Sequence, residues 1–284
     1  MKWAVVVAAL LALLAPLNGA SAKRVAVPRF EHVIVIVLEN KDRTAVIGNP
    51  AAPFFNHMVS RYATLPRYGG VAHPSLPNYL ALVSGSTHGI HTDCTTCVVS
   101  GRNLADTLEH AHLSWRGYAE DLPWAGFTGV SYGRYGKKHM PFLYFRDVLR
   151  SRARLKRIVP LSLFSRDFVA GTLPSFSLVV PNLCHDMHDC PVSVGDRWLR
   201  SFVRPLLTDP ALSQSVIFVV FDEPMNREPS SAVPALALGP LVKRGSRYAP
   251  KTSHYGLLRT IEDAWGLPRL GKSARIRPIT GIWR

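Results

Sequence analysis

The sequence predicts an α/β fold: a mostly parallel central sheet flanked by helices on both faces. Three observations carry it. Four apolar runs lack the polar alternation of a half-exposed strand. Helical patterns separate them, as in chains that cross from strand to parallel strand. Two of the runs end in acidic or amide pairs, where parallel sheets place their sites.

The first run, 32–38 (HVIVIVL), is β-branched and apolar on both faces, as a strand covered from both sides requires, and ends in Glu39-Asn40. Helical patterns follow at 54–62, 77–83 and 104–111. The second run, 177–180, ends in Pro181-Asn182, and a helical pattern occupies 197–207. The third, 216–221, ends in Asp222-Glu223, and the weaker fourth, 232–238, ends in Gly239-Pro240. A last helical pattern covers 255–265. No repeat, low-complexity tract or polar linker interrupts the chain, so 23–284 is expected to form one domain.

Ahead of it, Lys2, the apolar run Ala4 to Leu14 and Ala20-Ser21-Ala22 read as a cleaved signal peptide over 1–22. That run is short for a membrane span, and an uncleaved anchor is the alternative. Export makes nucleic acid a poor partner for a chain of net charge +15. Anionic surfaces and phosphorylated small molecules or lipid headgroups fit better, because a basic surface concentrates anions. Four cysteines in an exported chain suggest two disulfides. Sequence proximity pairs Cys94 with Cys97 and Cys184 with Cys190, although spacing does not fix connectivity.

The acidic strand ends are either turns and caps or oxygen ligands. Carboxylates gathered at neighbouring strand ends repel unless a cation lies between them. Hard oxygens suit Mg²⁺, Ca²⁺ or Mn²⁺, and Zn²⁺ enters if histidine joins. In His73-Pro74-Ser75-Leu76-Pro77-Asn78-Tyr79, Pro77 marks a first helical turn, and Ser75 is placed either as its N-cap or as a nucleophile at an anion-binding helix start. The loop 182–190 gathers His185, Asp186, His188 and Asp189, with Asp196 just beyond, and suits a second metal- or phosphate-contact element with one histidine as general acid. His254 opens the last helix, as a cap or a phosphate contact.

Seven ordered motifs then resemble a known family. They are Leu38-Glu39-Asn40, the stretch from His73 to Tyr79, Glu120-Asp121-Leu122-Pro123, Pro181-Asn182 to Asp189, Gly195-Asp196-Arg197-Trp198-Leu199, Phe221-Asp222-Glu223 and Ser253-His254-Tyr255. The pattern resembles the bacterial phosphoesterase family of secreted acid phosphatases and phospholipases C, within the alkaline-phosphatase-like superfamily. The resemblance implies an alkaline-phosphatase-like fold and a metal site of Glu39, Asn40, Ser75, Asp222 and Glu223, with Ser75 also the nucleophile. It implies activity roles for His188 with Asp186 and Asp189, a phosphate-facing His254, and substrate contact by Lys138 and His139. His73, Asn78, His185 and Asp196 are expected around the site or on the phosphate. Ala72 and His185 depart from the family, which often has Thr and Asn there. Asp222-Glu223 stands where zinc alkaline phosphatases have an Asp-His pair, which argues for harder oxygen coordination.

The expected activity is that of a secreted, metal-dependent acid phosphatase acting on monoesters, phosphoinositides among them, through a phosphoserine. The alternatives are a phospholipase C-type diesterase using the same residues and a non-catalytic basic binding protein on the same fold.

Overall fold

Six consecutive buried residues, Val33–Leu38, form the central strand β1, flanked by partners on both sides. The computed structural model describes residues 27–225, 228 and 231–284, so the expected signal peptide lies outside the described residues. The other strands of the main sheet are β2 (Ala63–Thr64), β3 (Trp115–Ala119), β4 (Ile158–Pro160), β5 (Phe176–Val180), β6 (Val216–Phe221) and β7 (Ala235–Leu238). Their order is β2-β7-β6-β1-β5-β3-β4. The run β6-β1-β5-β3-β4 is parallel throughout, with Val33 opposite both Phe176 and Val216.

β7 pairs antiparallel to β6, so the fourth apolar run joins the sheet against the prevailing direction. Two strands, β3 and β4, carry no apolar run long enough to announce them. β3 reads Trp-Arg-Gly-Tyr-Ala, and β4 has three residues.

Five helices matter to the site: α1 (Pro53–Arg61), α2 (Ser75–Ser84), α3 (Leu104–His110), α4 (Val192–Thr208) and α5 (His254–Trp265). α1 packs with α4, and α2 with α5. The alternation of β6 sorts the pairs onto opposite faces. Val219 and Phe221 meet the α1/α4 side, where Phe221 lies edge-on to Phe55. Phe218 points the other way, to Trp283. α2 is buried along its whole length and ends at Gly85 in the left-handed region (φ +70°). A side chain there would collide with the Leu270 carbonyl. Disulfides join Cys94 to Cys97 and Cys184 to Cys190, the pairs that sequence proximity favours. Among the described residues, no helix is long and apolar enough to cross a membrane.

Candidate active site

The carboxyl ends of β1 and β6 lie side by side because Leu38 pairs with Phe221. Glu39-Asn40 and Asp222-Glu223, far apart in sequence, therefore become neighbours. Asn40 adopts a positive φ of 50°, which asparagine tolerates better than most residues. Its backbone N–H donates to Asp222 Oδ1 at 3.1 Å, and the Glu223 N–H donates to the same oxygen at 2.6 Å.

Ser75 is the first helical residue of α2, and Pro74 takes the cap position. The Ser75 hydroxyl does not bond back to its own helix. It donates to Glu39 Oε2 at 2.9 Å. Glu39 is fully buried and also accepts from the Tyr79 hydroxyl at 2.6 Å, while His139 Nε2 lies 3.3 Å away. Burial pushes the Glu39 carboxyl up, but His139, Tyr79 and Lys138 together outweigh it and hold the group at about 2. His139 stacks on Tyr79 and faces Asp186 on its other side at 3.8 Å.

Asn78 organises the approach to Ser75. Its carbonyl accepts from Val71 and Ala72 N–H, and its amide donates to the Ala72 and Pro74 carbonyls and to Glu223 Oε2. Gly70 precedes this loop because a Cβ there would come within 2.8 Å of the Asp222 carbonyl. His73 Nδ1 lies 2.8 Å from Glu223 and its Nε2 3.0 Å from the Pro224 carbonyl. A carbonyl only accepts, so Nε2 carries a proton. The Nδ1 contact therefore needs a second proton, on His73 or on Glu223. Burial and the charges of Glu39 and Asp93 raise Glu223 to about 8.

Asn40, His73, Ser75, Lys138, His188 and Glu223, with Asp93 and Met225, line a cleft of about 510 Å³. Asp93 accepts from Leu76 N–H at 2.9 Å and from Lys138 Nζ at 2.9 Å, so it ties the start of α2 to the lysine opposite. His188 is over a third exposed, and Asp189 lies 2.6 Å from its Nδ1. That carboxylate fixes the proton on Nδ1 and leaves Nε2 free for exchange. Asp186 is buried, accepts from the His188 N–H and is raised to about 9 by burial and by Glu39.

Three predicted site residues stand elsewhere. His254 is buried behind the cleft, its Nε2 donating to the Asp222 carbonyl at 2.6 Å and its Nδ1 2.9 Å from the Tyr68 hydroxyl. Both nitrogens are committed to protein, so the ring neither caps its helix nor faces a phosphate in the cleft. Burial holds it down at about 4, hence neutral. His185 pairs with Glu120 at 2.9 Å and stacks on Trp198, which fixes the disulfide loop without lining the cleft. Asp196 accepts from Phe54 and Phe55 N–H at 3.0 and 2.8 Å, and so caps α1 rather than contacting phosphate.

Sequence reasoning gave no role to Tyr79, Tyr68, Glu120 or Asp93. The first three hold other site residues in place, and single positions carry no signal for such pairings. Asp93 sits beside Cys94, where a turn is the ordinary reading.

Among the described residues, no three His, Cys, Asp or Glu side chains stand grouped as ready metal ligands. The donor set nevertheless fits a hard cation once the Ser75 hydroxyl and the Asn40 amide oxygen are added to Glu39, Asp222 and Glu223. Asp222 Oδ2 is buried without a partner. Burial and the charges of Glu39 and Glu223 push Asp222 well above the carboxylate range. A cation would satisfy the orphaned oxygen and relieve that repulsion.

Residues 48–268 match the sequence pattern of the Phosphoesterase family. The chain belongs to that family. It is similar to the phosphatidylinositol-3-phosphatase of Mycobacterium tuberculosis, 36% identical over 261 residues that cover 91% of this chain and 84% of the relative. It is also similar to a probable acid phosphatase of Kluyveromyces lactis, 29% identical over 86% of this chain, although it spans only 60% of that relative. Among solved structures it resembles a protein in the alkaline phosphatase superfamily from Vibrio parahaemolyticus, with a TM-score of 0.62 at 11% identity over 89% of this chain and 72% of the other. The fold is that of the alkaline phosphatase superfamily. The phosphoesterase is a hydrolase of phosphoric esters, and its family resemblance, enzyme class and sheet architecture agree with the expectations from sequence.

Proposed function

We propose that this phosphoesterase is an exported acid phosphatase that hydrolyses phosphate monoesters through a phosphoserine at Ser75, with residues 23–284 forming one catalytic domain. The observation that carries the reading is the direction of the Ser75 hydroxyl. It donates to the buried carboxylate of Glu39 instead of capping α2. A serine needed only as a cap would bond to its own helix.

In the first step the Ser75 oxygen attacks phosphorus as its proton passes along the hydrogen bond to Glu39, a Ser–O–P bond forms, and the ester P–O bond breaks. Glu39 fixes the direction of the hydroxyl. Lys138 and the helix start face the phosphoryl oxygens and stabilise their charge. His188, oriented by Asp189, gives its Nε2 proton to the leaving alkoxide. Water then attacks the phosphoserine, His188 recovers its proton from that water, the Ser–O–P bond breaks, and phosphate leaves as Glu39 returns the proton to the Ser75 oxygen. A divalent cation held by Glu39, Asn40, Ser75, Asp222 and Glu223 would lower the hydroxyl's proton affinity and neutralise the transferred phosphoryl group. His254, Tyr68 and Tyr79 act as positioning residues, since they touch the strand ends and not the cleft.

Phosphoinositide headgroups are the first substrate class to test, given the mycobacterial relative's name. Export is supported by two disulfides, which persist in oxidising compartments. The test is a phosphate-release panel of phosphoinositides, nucleotides and sugar phosphates on wild type and Ser75→Ala. The variant is expected to unfold like wild type and release no phosphate above background. Full activity in Ser75→Ala would eliminate the nucleophile. Preference for p-nitrophenyl phosphorylcholine over p-nitrophenyl phosphate would replace the monoesterase with the diesterase.

A further inference from the structure

A second concavity, of about 500 Å³, lies between α1 and α4. It is comparable in size to the ~300–1,000 Å³ pockets that take small ligands. Its floor is apolar, with Phe54, Met58 and Leu207, and its rim is basic, with Arg61 from α1 and Arg197, Arg200 and Arg204 from α4. The three α4 arginines follow i, i+3, i+7 spacing and so share one helix face.

None of these four guanidinium groups has a hydrogen bond or ion pair with another described residue. Unpaired arginines occur elsewhere on the surface, Arg244, Arg275 and Arg277 among them, but here four of them line one concavity, whereas partly buried arginines pair with carboxylates. Arg154, for example, meets Asp106, Glu109 and Asp147. Asp196, the one acidic side chain lining the groove among the described residues, has both oxygens occupied by the α1 N–H groups. Four unneutralised cations of like sign around an apolar trough repel one another. Such an arrangement is relieved by a ligand that brings negative charge to the rim and hydrocarbon to the floor.

We infer that the α1/α4 groove docks an anionic phospholipid of a bilayer, with the headgroup phosphate on Arg197, Arg200 and Arg204 and hydrocarbon against Leu207 and Met58. The groove and the Ser75 cleft share no lining residue, so this is a tethering site and not the substrate site. It would hold the enzyme on a surface whatever ester Ser75 attacks. A soluble polyanion would use the rim and leave the floor wet.

The test is flotation with vesicles of equal parts phosphatidylglycerol and phosphatidylcholine, against vesicles of phosphatidylcholine alone. Arg197→Gln, Arg200→Gln and Arg204→Gln together should weaken binding to the anionic vesicles roughly a hundredfold, the scale expected for three basic residues at an anionic surface. The control removes the same charge elsewhere, with Arg244→Gln, Arg275→Gln and Arg277→Gln, all exposed. It should change binding far less. Leu207→Asn should weaken vesicle binding while leaving binding to dextran sulfate unchanged. Turnover of p-nitrophenyl phosphate should be unaffected in every variant, so failure here is separable from failure of the Ser75 mechanism. Equal loss in the two triple variants would overturn the inference and leave only diffuse charge. So would an intact vesicle affinity in Leu207→Asn, which would make the groove a polyanion patch.

Discussion

At the scale of single residues, the chemistry rests on a few hydrogen bonds whose direction is forced. His188 is the exposed histidine of the cleft, and Asp189 at 2.6 Å keeps its Nδ1 protonated. If it supplies the leaving-group proton, its loss should depend on how much the leaving group needs one. His188→Ala is expected to lower kcat by about 10²–10⁴ on alkyl phosphates and by much less on p-nitrophenyl phosphate, whose phenolate leaves unaided. A uniform loss across a leaving-group series would assign His188 to binding instead. Tyr79 poses a different case, since its hydroxyl donates to Glu39 at 2.6 Å in a fully buried setting. Tyr79→Phe leaves that carboxylate oxygen short of a donor and should cost about 1–3 kcal/mol in a urea titration. The role of Ser75 could be framed from sequence but not decided there, because a helix cap and a nucleophile occupy the same position. The direction of the Ser75 hydroxyl is set by the bond to Glu39, which spans residues whose proximity depends on the β1–β6 register.

At the scale of elements, legibility followed the length of the apolar signal. The strands at 33–38, 176–180 and 216–221 declare themselves as unbroken buried runs, and the five principal helices fall where periodicity puts them. β3 and β4 do not, since Arg116 and Gly117 break one and the other has three residues. The direction of β7 was equally hidden, because an apolar run carries no sign of parallel or antiparallel pairing. Asp196, which the motif pattern sets around the site or on the phosphate, does not line the cleft. It lies at the start of α4 but caps α1, joining the two helices of one face. Asp196→Ala should cost about 0.5–2 kcal/mol of stability, the range for a lost helix cap, while kcat/KM on p-nitrophenyl phosphate stays at the wild-type level. Loss of activity at unchanged stability would return Asp196 to the site.

At the scale of the whole molecule, the fold brings buried carboxyl groups together and makes stability depend on pH in a calculable direction. An acid whose pKa is higher folded than unfolded binds extra protons in the folded state between the two values, so stability declines as pH rises through that interval. Glu223 at about 8, Asp186 at about 9 and Asp222 well above its usual range all have this sign, each raised first by burial. Glu262, raised to about 7 by burial, adds the same slope below that value. His254 opposes it, because its folded value of about 4 lies below that of an ordinary histidine. It adds stability as pH rises from there to about 6.5 and no more beyond. Glu39, held at about 2, contributes fully above the usual carboxylate range and is flat at neutral pH. His254 offsets only one of these four acids, so the net slope is already negative below about pH 6.5 and has no offset at all between there and about 9. In chelator-treated protein the unfolding temperature should therefore fall across that interval. A divalent cation that replaces the protons among Glu39, Asp222 and Glu223 should raise the unfolding temperature most at the alkaline end and flatten the profile. A chelated protein whose unfolding temperature is level from pH 6.5 to 9 would show that these carboxyl groups are not raised by burial, and one that gains nothing from Mg²⁺, Ca²⁺, Mn²⁺ or Zn²⁺ would show that they do not share a cation.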